Sequence, residues 1–467
     1  MKITFHGAAR TVTGSKHLLH INPGKNVLLD CGMFQGLGKE TLELNAHWGF
    51  EPRDLTYVII SHAHIDHVGL LPKLVKDGYK GKIFCTPQTE ELAKILMVDS
   101  AHIQESDVLH INKMHEKQGK PLLEPLYTEE DAQNVFPLFQ SVPYDTPYKI
   151  DEDLELLYTD CGHIIGSAAV NLKIRENGVE RRLTFSGDIG RYNDLILKSP
   201  EVFPQADFII MESTYGNKLH DLVTPATDRL LNFIVDTCLK KRGNLIIPAF
   251  SVGRTQEILY LLNRLDTERR LPPLNYYVDS PLSIKATEVV KHHPECFNKE
   301  VHDVMKKDVD VFAFPGLIYT ETADESIRLN SLKEPAVIIS ASGMAEAGRV
   351  KHHIAHNIDN ANNTILLVGY CEPHSLGGKL KAGARQVTIY GEPHDVVAEI
   401  GLIDSLSAHG DYEDMSQWLA CQDPRQVAKL FLVHGEYEVQ IAFRARLLKK
   451  GFRDIEIPDL HQEVGLG

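Results

Sequence analysis

No Cys-x-x-Cys pair occurs in this sequence, and its seven cysteines, at 31, 85, 161, 238, 296, 371 and 421, are odd in number and far apart. That spacing suggests neither a disulfide framework nor a thiolate zinc site. The opening MKITFHGAARTVTG lacks an apolar signal-peptide core. No apolar run reaches the roughly 18 residues that would cross a bilayer. The expectation is a cytoplasmic protein in a reducing compartment, with no membrane partner. Basic charge is scarce as well: 49 Lys and Arg against 64 Asp and Glu leave a net −15. Such a surface repels nucleic acid as a whole, unless cations gather around one cleft. There is no repeat of fixed period and no low-complexity tract.

What is present is ordinary globular composition, 43% hydrophobic and 24% charged, in 467 residues. At about 150 residues per domain, that length predicts two or three folded units or one large insertion. The first part alternates short apolar runs with turn residues. KITFHG, HLLHI, NVLLDCG, YVIISHAH, KIFCT, LELLYT, AAVNLKI, RRLTFSGD and DFIIMEST all read as strands. Thr89 to about Lys117 reads as a long helix, and residues 119–150 as a surface excursion containing a capped turn of helix at Thr128–Asp131. From about residue 214 the rhythm becomes helix then strand, the mark of crossover units on a parallel sheet. Thr224-Pro225 starts the first of these helices. After about residue 400 too little remains to bury a separate core, so the tail is expected to complete the first domain. This gives a first part at 1–213, an insertion at 214–400 and a C-terminal part at 401–467.

The 23 histidines cluster beside Asp and Gly at the ends of apolar runs. His62-Ala-His64-Ile-Asp66-His67 directly follows the apolar strand at 57–60 and offers three imidazoles and a carboxylate, donors suited to zinc. Residues two apart in extended chain point the same way, so His62 and His64 can grip one ion while the turn sends Asp66 and His67 toward another. Further donors stand at other strand ends: Asp30 after NVLL, His163 after LELLYTDC, Asp188 after RRLTF and His434 after KLFLV. A lone strand-end Asp before Gly is usually a turn former. Together these residues describe ligands converging on one sheet edge. Two strand-to-helix loops, one with Ser251 and Arg254 and the other with Ser342, Gly343 and Arg349, place N–H groups, a hydroxyl and an Arg at a helix start. They read either as anion sites or as ordinary tight turns. His352, His353 and His356 read as a solvated helix face or cap contact, and His394 as structural.

The set Asp30, His62-x-His64-x-Asp66-His67, His163 and Asp188 resembles the metallo-β-lactamase family. Glu212 in MESTYG, His409 in SAHGDY and His434 in LVHGE resemble the three further motifs of its β-CASP nuclease branch, in matching order along nearly the whole chain. The resemblance implies an α/β fold: an αββα metallo-β-lactamase sandwich with an inserted Rossmann-like, parallel-sheet β-CASP domain capping the metals. It implies two zinc ions per chain. His62, His64 and His163 would hold one, Asp66, His67 and His434 the other, and Asp188 would bridge them. Asp30 would orient ligands from behind. Catalysis would fall to Asp66 at the metals and to His409 as proton donor to the leaving oxygen, with Glu212 keeping His409 charged. Ser251, Arg254, Ser342, Gly343 and Arg349 would meet RNA phosphates.

The activity so implied is hydrolysis of single-stranded RNA. The exonuclease type called RNase J carries His-Val-Ser-Gly-His where this chain has Ser-Ala-Ser-Gly-Met-Ala at 340–345, which points to internal cutting. Archaeal relatives carry RNA-binding KH modules at the N-terminus. Here the catalytic domain begins at residue 1, so the cleft or a partner would grip RNA, and a homodimer is a further expectation. The alternatives are a single-stranded DNA nuclease, a 5′–3′ exoribonuclease of the same family, and a non-catalytic processing scaffold. The scaffold is disfavoured because such proteins lose metal ligands and this chain keeps them.

Overall fold

The computed structural model describes residues 1–38, 40–176, 178–220, 226–369 and 371–467. The helix start read at Thr224-Pro225 lies outside them, and the described helix begins at Ala226. The chain divides into two compact units. The first comprises Met1–Tyr192, Ser199–Leu219 and His409–Gly467, and the second comprises Asn193–Lys198 and His220–Ala408.

In the first unit two seven-stranded sheets share a core. One sheet runs in the order Glu463–Gly465, Lys2–Phe5, His17–Asn22, Lys25–Leu29, Tyr57–Ile59, Lys82–Cys85 and Phe139–Ser141. The other runs Ile455–Glu456, Lys429–Leu432, Phe208–Met211, Val179–Phe185, Ala168–Glu176, Leu154–Asp160 and Tyr148–Lys149. Strand alternation decides the layering. Phe208, Ile210 and Phe431 point into a core with Leu19, Val27 and Ile59 of the first sheet. Ile209, Met211, Leu430 and Leu432 point the other way, onto Trp418, Phe443 and Leu447. Those three belong to the helices Tyr412–Trp418 and Tyr437–Lys449, so helix, sheet and sheet stack in that order. Residues 119–150 are more than an excursion, because Phe139–Ser141 pairs in parallel with Lys82–Cys85 and forms the edge of the first sheet.

Strand direction is what positions the site. Lys25–Leu29 and Tyr57–Ile59 run parallel. Val179–Phe185, Phe208–Met211 and Lys429–Leu432 also run parallel. Leu154–Asp160, antiparallel to the neighbour of Val179–Phe185, shares its direction. The segments carrying Asp30, His62, His163, Asp188, Glu212 and His434 therefore leave at carboxyl ends of strands, the usual place for functional loops in such sheets.

The second unit holds a six-stranded sheet in the order Leu317–Tyr319, Asn275–Val278, Ala336–Ser340, Leu245–Pro248, Thr364–Leu367 and Glu399–Leu402, with every neighbouring pair parallel. Helices such as Arg254–Thr267, Pro281–His292 and Arg349–Asn357 connect the strands. Pro248 lies opposite Ser340, so the two glycine-containing loops that follow these strands emerge side by side.

Candidate metal centre

After Tyr57–Ile59 the chain passes without regular structure through His62 and His64 and then winds into the short helix Ile65–Val68, which separates the first two imidazoles from Asp66 and His67. His62 Nε2 and His163 Nε2 each lie 3.1 Å from His64 Nδ1. Asp188 Oδ2 is 3.4 Å from His62 Nε2 and 3.6 Å from His163 Nε2. His434 Nε2 lies 3.3 Å from Asp66 Oδ2 and 3.4 Å from His67 Nε2. Asp188 Oδ2 is also 3.4 Å from His67 Nε2, and its Oδ1 is 3.5 Å from His434 Nδ1, so one carboxylate faces both clusters.

These spacings fit metal ions. Bonds of about 2.0–2.1 Å to a tetrahedral ion set its ligand atoms about 3.3–3.4 Å apart. His64 Nδ1 faces two imidazole nitrogens and carries at most one proton, so hydrogen bonding alone cannot satisfy the three rings. Asp188 Oδ1 is buried with no hydrogen-bond partner. Electrostatics point the same way. Burial pulls His64 down to about 4 despite Asp66 and Asp188. Burial would lower His67 too, but Asp188, Asp66 and Asp30 outweigh it and raise that imidazole well above its ordinary value. Burial would raise Asp188, yet the neighbouring imidazoles of His434 and His67 hold it well below the usual carboxylate range. An uncharged His64 beside an ionised Asp188 supplies the kind of donors a cation takes.

Asp30 sits behind the ligands. Its Oδ2 accepts from His67 Nδ1 at 2.6 Å, and its carboxylate also takes the N–H and hydroxyl of Ser61 and the hydroxyl of Ser15. Thr214 Oγ1 meets His434 Nδ1 at 3.1 Å. Ser61, Ser15 and Thr214 carry no sequence signal of such roles beyond standing near a strand end. Asp30 and His434 both adopt left-handed backbone, with φ of 57° and 48°. Non-glycine residues rarely hold that conformation, and at strand ends it swings the side chain off the sheet's alternation. His409, 17% exposed, stacks near His163 and His434, with ring centroids 4.5 and 5.8 Å away. Its Nδ1 lies 3.2 Å from Oε2 of the fully buried Glu212. Burial would lower His409, but Glu212 and then Asp188 raise it to about 9.

In the second unit the loop residues are engaged internally. Arg254 is only 4% exposed and pairs with Glu257 one turn along its own helix. Arg349 donates from Nη1 to Asp279 Oδ1 at 2.7 Å and to the Thr320 carbonyl, and from Nη2 to the Glu321 carbonyl. Ser251 and Gly343 are buried, Gly343 so tightly that a Cβ there would stand 2.6 Å from the Phe250 ring. Ser342 bonds its own loop at the Ala347 carbonyl. Both guanidinium groups are thus ion-paired within the unit, Arg254 with Glu257 and Arg349 with Asp279. His353 is likewise no solvated residue. Fully buried, it lies 2.6 Å from Asp279 Oδ2 and 2.8 Å from Asn330 Oδ1.

Asp279 is thus the hub of a buried network. Burial would raise its carboxyl, but His353, Ser326, Thr320 and Arg349 hold it at about 2. Asp279→Ala would take the buried acceptor from the Arg349 guanidinium and from His353 Nε2, and is expected to cost on the order of 3–5 kcal/mol in thermal unfolding of the second unit at neutral pH. The stabilisation is present above the unfolded value of about 3.9 and fades as pH falls through about 2, so the gap to the parent protein should narrow over that window. A gap that widens on acidification would contradict this assignment.

Comparison with known proteins gives three family matches: the metallo-beta-lactamase superfamily over residues 17–230, the Beta-Casp domain over 255–380, and the Zn-dependent metallo-hydrolase RNA specificity domain over 393–458. Similar proteins include Ribonuclease TTHA0252 of Thermus thermophilus, 33% identical over 451 residues that cover 97% of each chain. Transcription termination factor FttA of Methanosarcina mazei is 27% identical over 96% of this chain and 69% of its own. An RNase J-like protein of Methanocaldococcus jannaschii is 28% identical over 96% and 95%.

Proposed function

The chain belongs to the metallo-β-lactamase superfamily and, within it, to the β-CASP ribonuclease family, and from that premise we propose a zinc-dependent ribonuclease that cuts single-stranded RNA internally at a two-ion centre. The observation that carries the reading is Asp188, whose carboxylate faces two ligand clusters at spacings suited to tetrahedral ions. His62, His64, His163 and Asp188 would hold one ion, and Asp66, His67 and His434 the other, with Asp188, 3.4 Å from His67 Nε2, shared between them. Bound there, zinc supplies Lewis acidity toward the phosphate oxygens and toward the attacking water.

The remaining chemistry belongs to side chains. Asp30 fixes the His67 ring through Nδ1, leaving Nε2 toward the ligand cluster. Glu212 accepts a hydrogen bond from His409 Nδ1–H and favours the charged imidazole, so the Nε2 proton is the one available to the leaving ribose oxygen. Internal cutting is supported by the absence of a His-Val-Ser-Gly-His sequence at 340–345. The free cysteines suit a reducing cytoplasm.

End-labelled RNA and DNA of one sequence, incubated with the full chain with and without chelator, test this reading. Internal RNA fragments that vanish with chelator and return with zinc are expected. Mononucleotide release from one end would favour the exonuclease reading, and DNA cleavage at equal rate would remove the RNA assignment.

A further inference from the structure

We propose that Lys16 is a positioning residue for one half of the metal centre, the half built by Asp66, His67 and His434. Its side chain is 1% exposed. Nζ donates to the carbonyls of Gly14 at 3.0 Å and Gly32 at 2.7 Å, and sits 4.2 Å over the Phe34 ring. Burying an amine against carbonyls rather than a carboxylate is costly, so the contacts it makes need a reason.

The two carbonyls belong to the two segments that hold this half of the site. Around Gly32, Cys31 N donates to the His67 carbonyl at 2.7 Å, Met33 N to Ile65 at 3.0 Å and Ser15 N to Asp66 at 2.8 Å. The approach is so close that a Cβ on Gly32 would stand 1.6 Å from the Asp66 oxygen. Around Gly14, the loop that it closes accepts His434 N at the Ala8 carbonyl, 2.7 Å away, and Gly435 N at the Thr11 carbonyl, 3.0 Å away. That loop doubles back through Ala8 N to the Thr13 carbonyl at 3.1 Å. Gly7 leaves room for the crossing, since its Cβ would meet the Gly14 oxygen at 1.7 Å and Lys16 Nζ at 3.3 Å. One amine thus ties the backbone under Asp66 and His67 to the backbone under His434. His62 and His163 hang from other strand ends and gain nothing directly from this tie.

The inference rests on the two-ion reading above, and its test separates the two. Metal-stripped full-length protein and its Lys16→Met variant are titrated with zinc alone against a competing chelator, with bound metal counted by elemental analysis. Wild type should take two equivalents. Lys16→Met should keep one at wild-type affinity and bind the second roughly 10–100-fold more weakly, the usual cost of losing an outer support. Should wild type bind fewer than two, the two-ion reading fails and takes this inference with it. Should wild type bind two while Lys16→Met binds both normally, or loses both equally, the inference alone is overturned. If Lys16→Met does not fold, Lys16→Gln, whose amide can still serve one carbonyl, is judged by the same selective or unselective loss.

Discussion

Replacing Asp188 by alanine is expected to leave a folded chain that retains neither ion at stoichiometric level and cleaves RNA at background rate. Its two oxygens face different partners: Oδ2 lies within 3.4–3.6 Å of His62, His163 and His67, and Oδ1 lies 3.5 Å from His434. Removing any single imidazole touches one cluster. On the two-ion reading, removing this carboxylate would take a ligand from both, along with the negative charge that would offset two cations in a buried site. Lewis-acid stabilisation of several kcal/mol is lost with the ions, so the rate should fall by about 10³-fold or more. The fold should survive, because Asp188 follows the strand Val179–Phe185 rather than packing in its core. Elemental analysis beside an RNA cleavage assay reads both effects. A variant that still carries two zinc ions would refute the shared-ligand role, whatever its activity.

The convergence of these side chains could be read from sequence because the information is local. His62, His64, Asp66 and His67 lie within one turn, and the other donors each follow an apolar strand, so a parallel arrangement of strands brings them to one edge. The strand and helix pattern was legible for the same reason, the alternation of Ile209 and Ile210 between two cores being one instance. What stayed hidden depends on partners remote in the chain. Nothing in the sequence joins Arg349 to Asp279, 70 residues away, whose carboxylate accepts from its Nη1. His353 reads as solvated until the same carboxylate buries it. Lys16 has no legible partner at all, because its acceptors are backbone carbonyls that every residue owns. The strand Phe139–Ser141 is three residues long, too short for periodicity to mark it, and exists through pairing with Lys82–Cys85.

His409→Ala should separate proton donation from metal binding. The imidazole leans on Glu212 through Nδ1 and lies 3.9 Å from Asp188. With Asp188, Glu212 and His434 it forms a third group close enough to hold a cation, but the two-ion reading assigns it to proton donation instead. Its loss should therefore leave both zinc ions in place while RNA cleavage falls by about 10²–10⁴-fold, the usual share of a general acid. A purely structural histidine could also slow turnover by loosening the rim, so rate alone does not decide the role. The leaving group does. A nitrophenol ester of phosphate releases its leaving group as the stable nitrophenolate anion and needs no proton, whereas a ribose oxygen needs one. If His409 donates that proton, the variant should lose far less activity on the nitrophenyl ester than on RNA. Equal losses on both substrates would make His409 a packing residue and return the search for a donor to solvent, since Glu212, fully buried and bonded to the Ile189 and Thr214 amides, is tied to the backbone behind it.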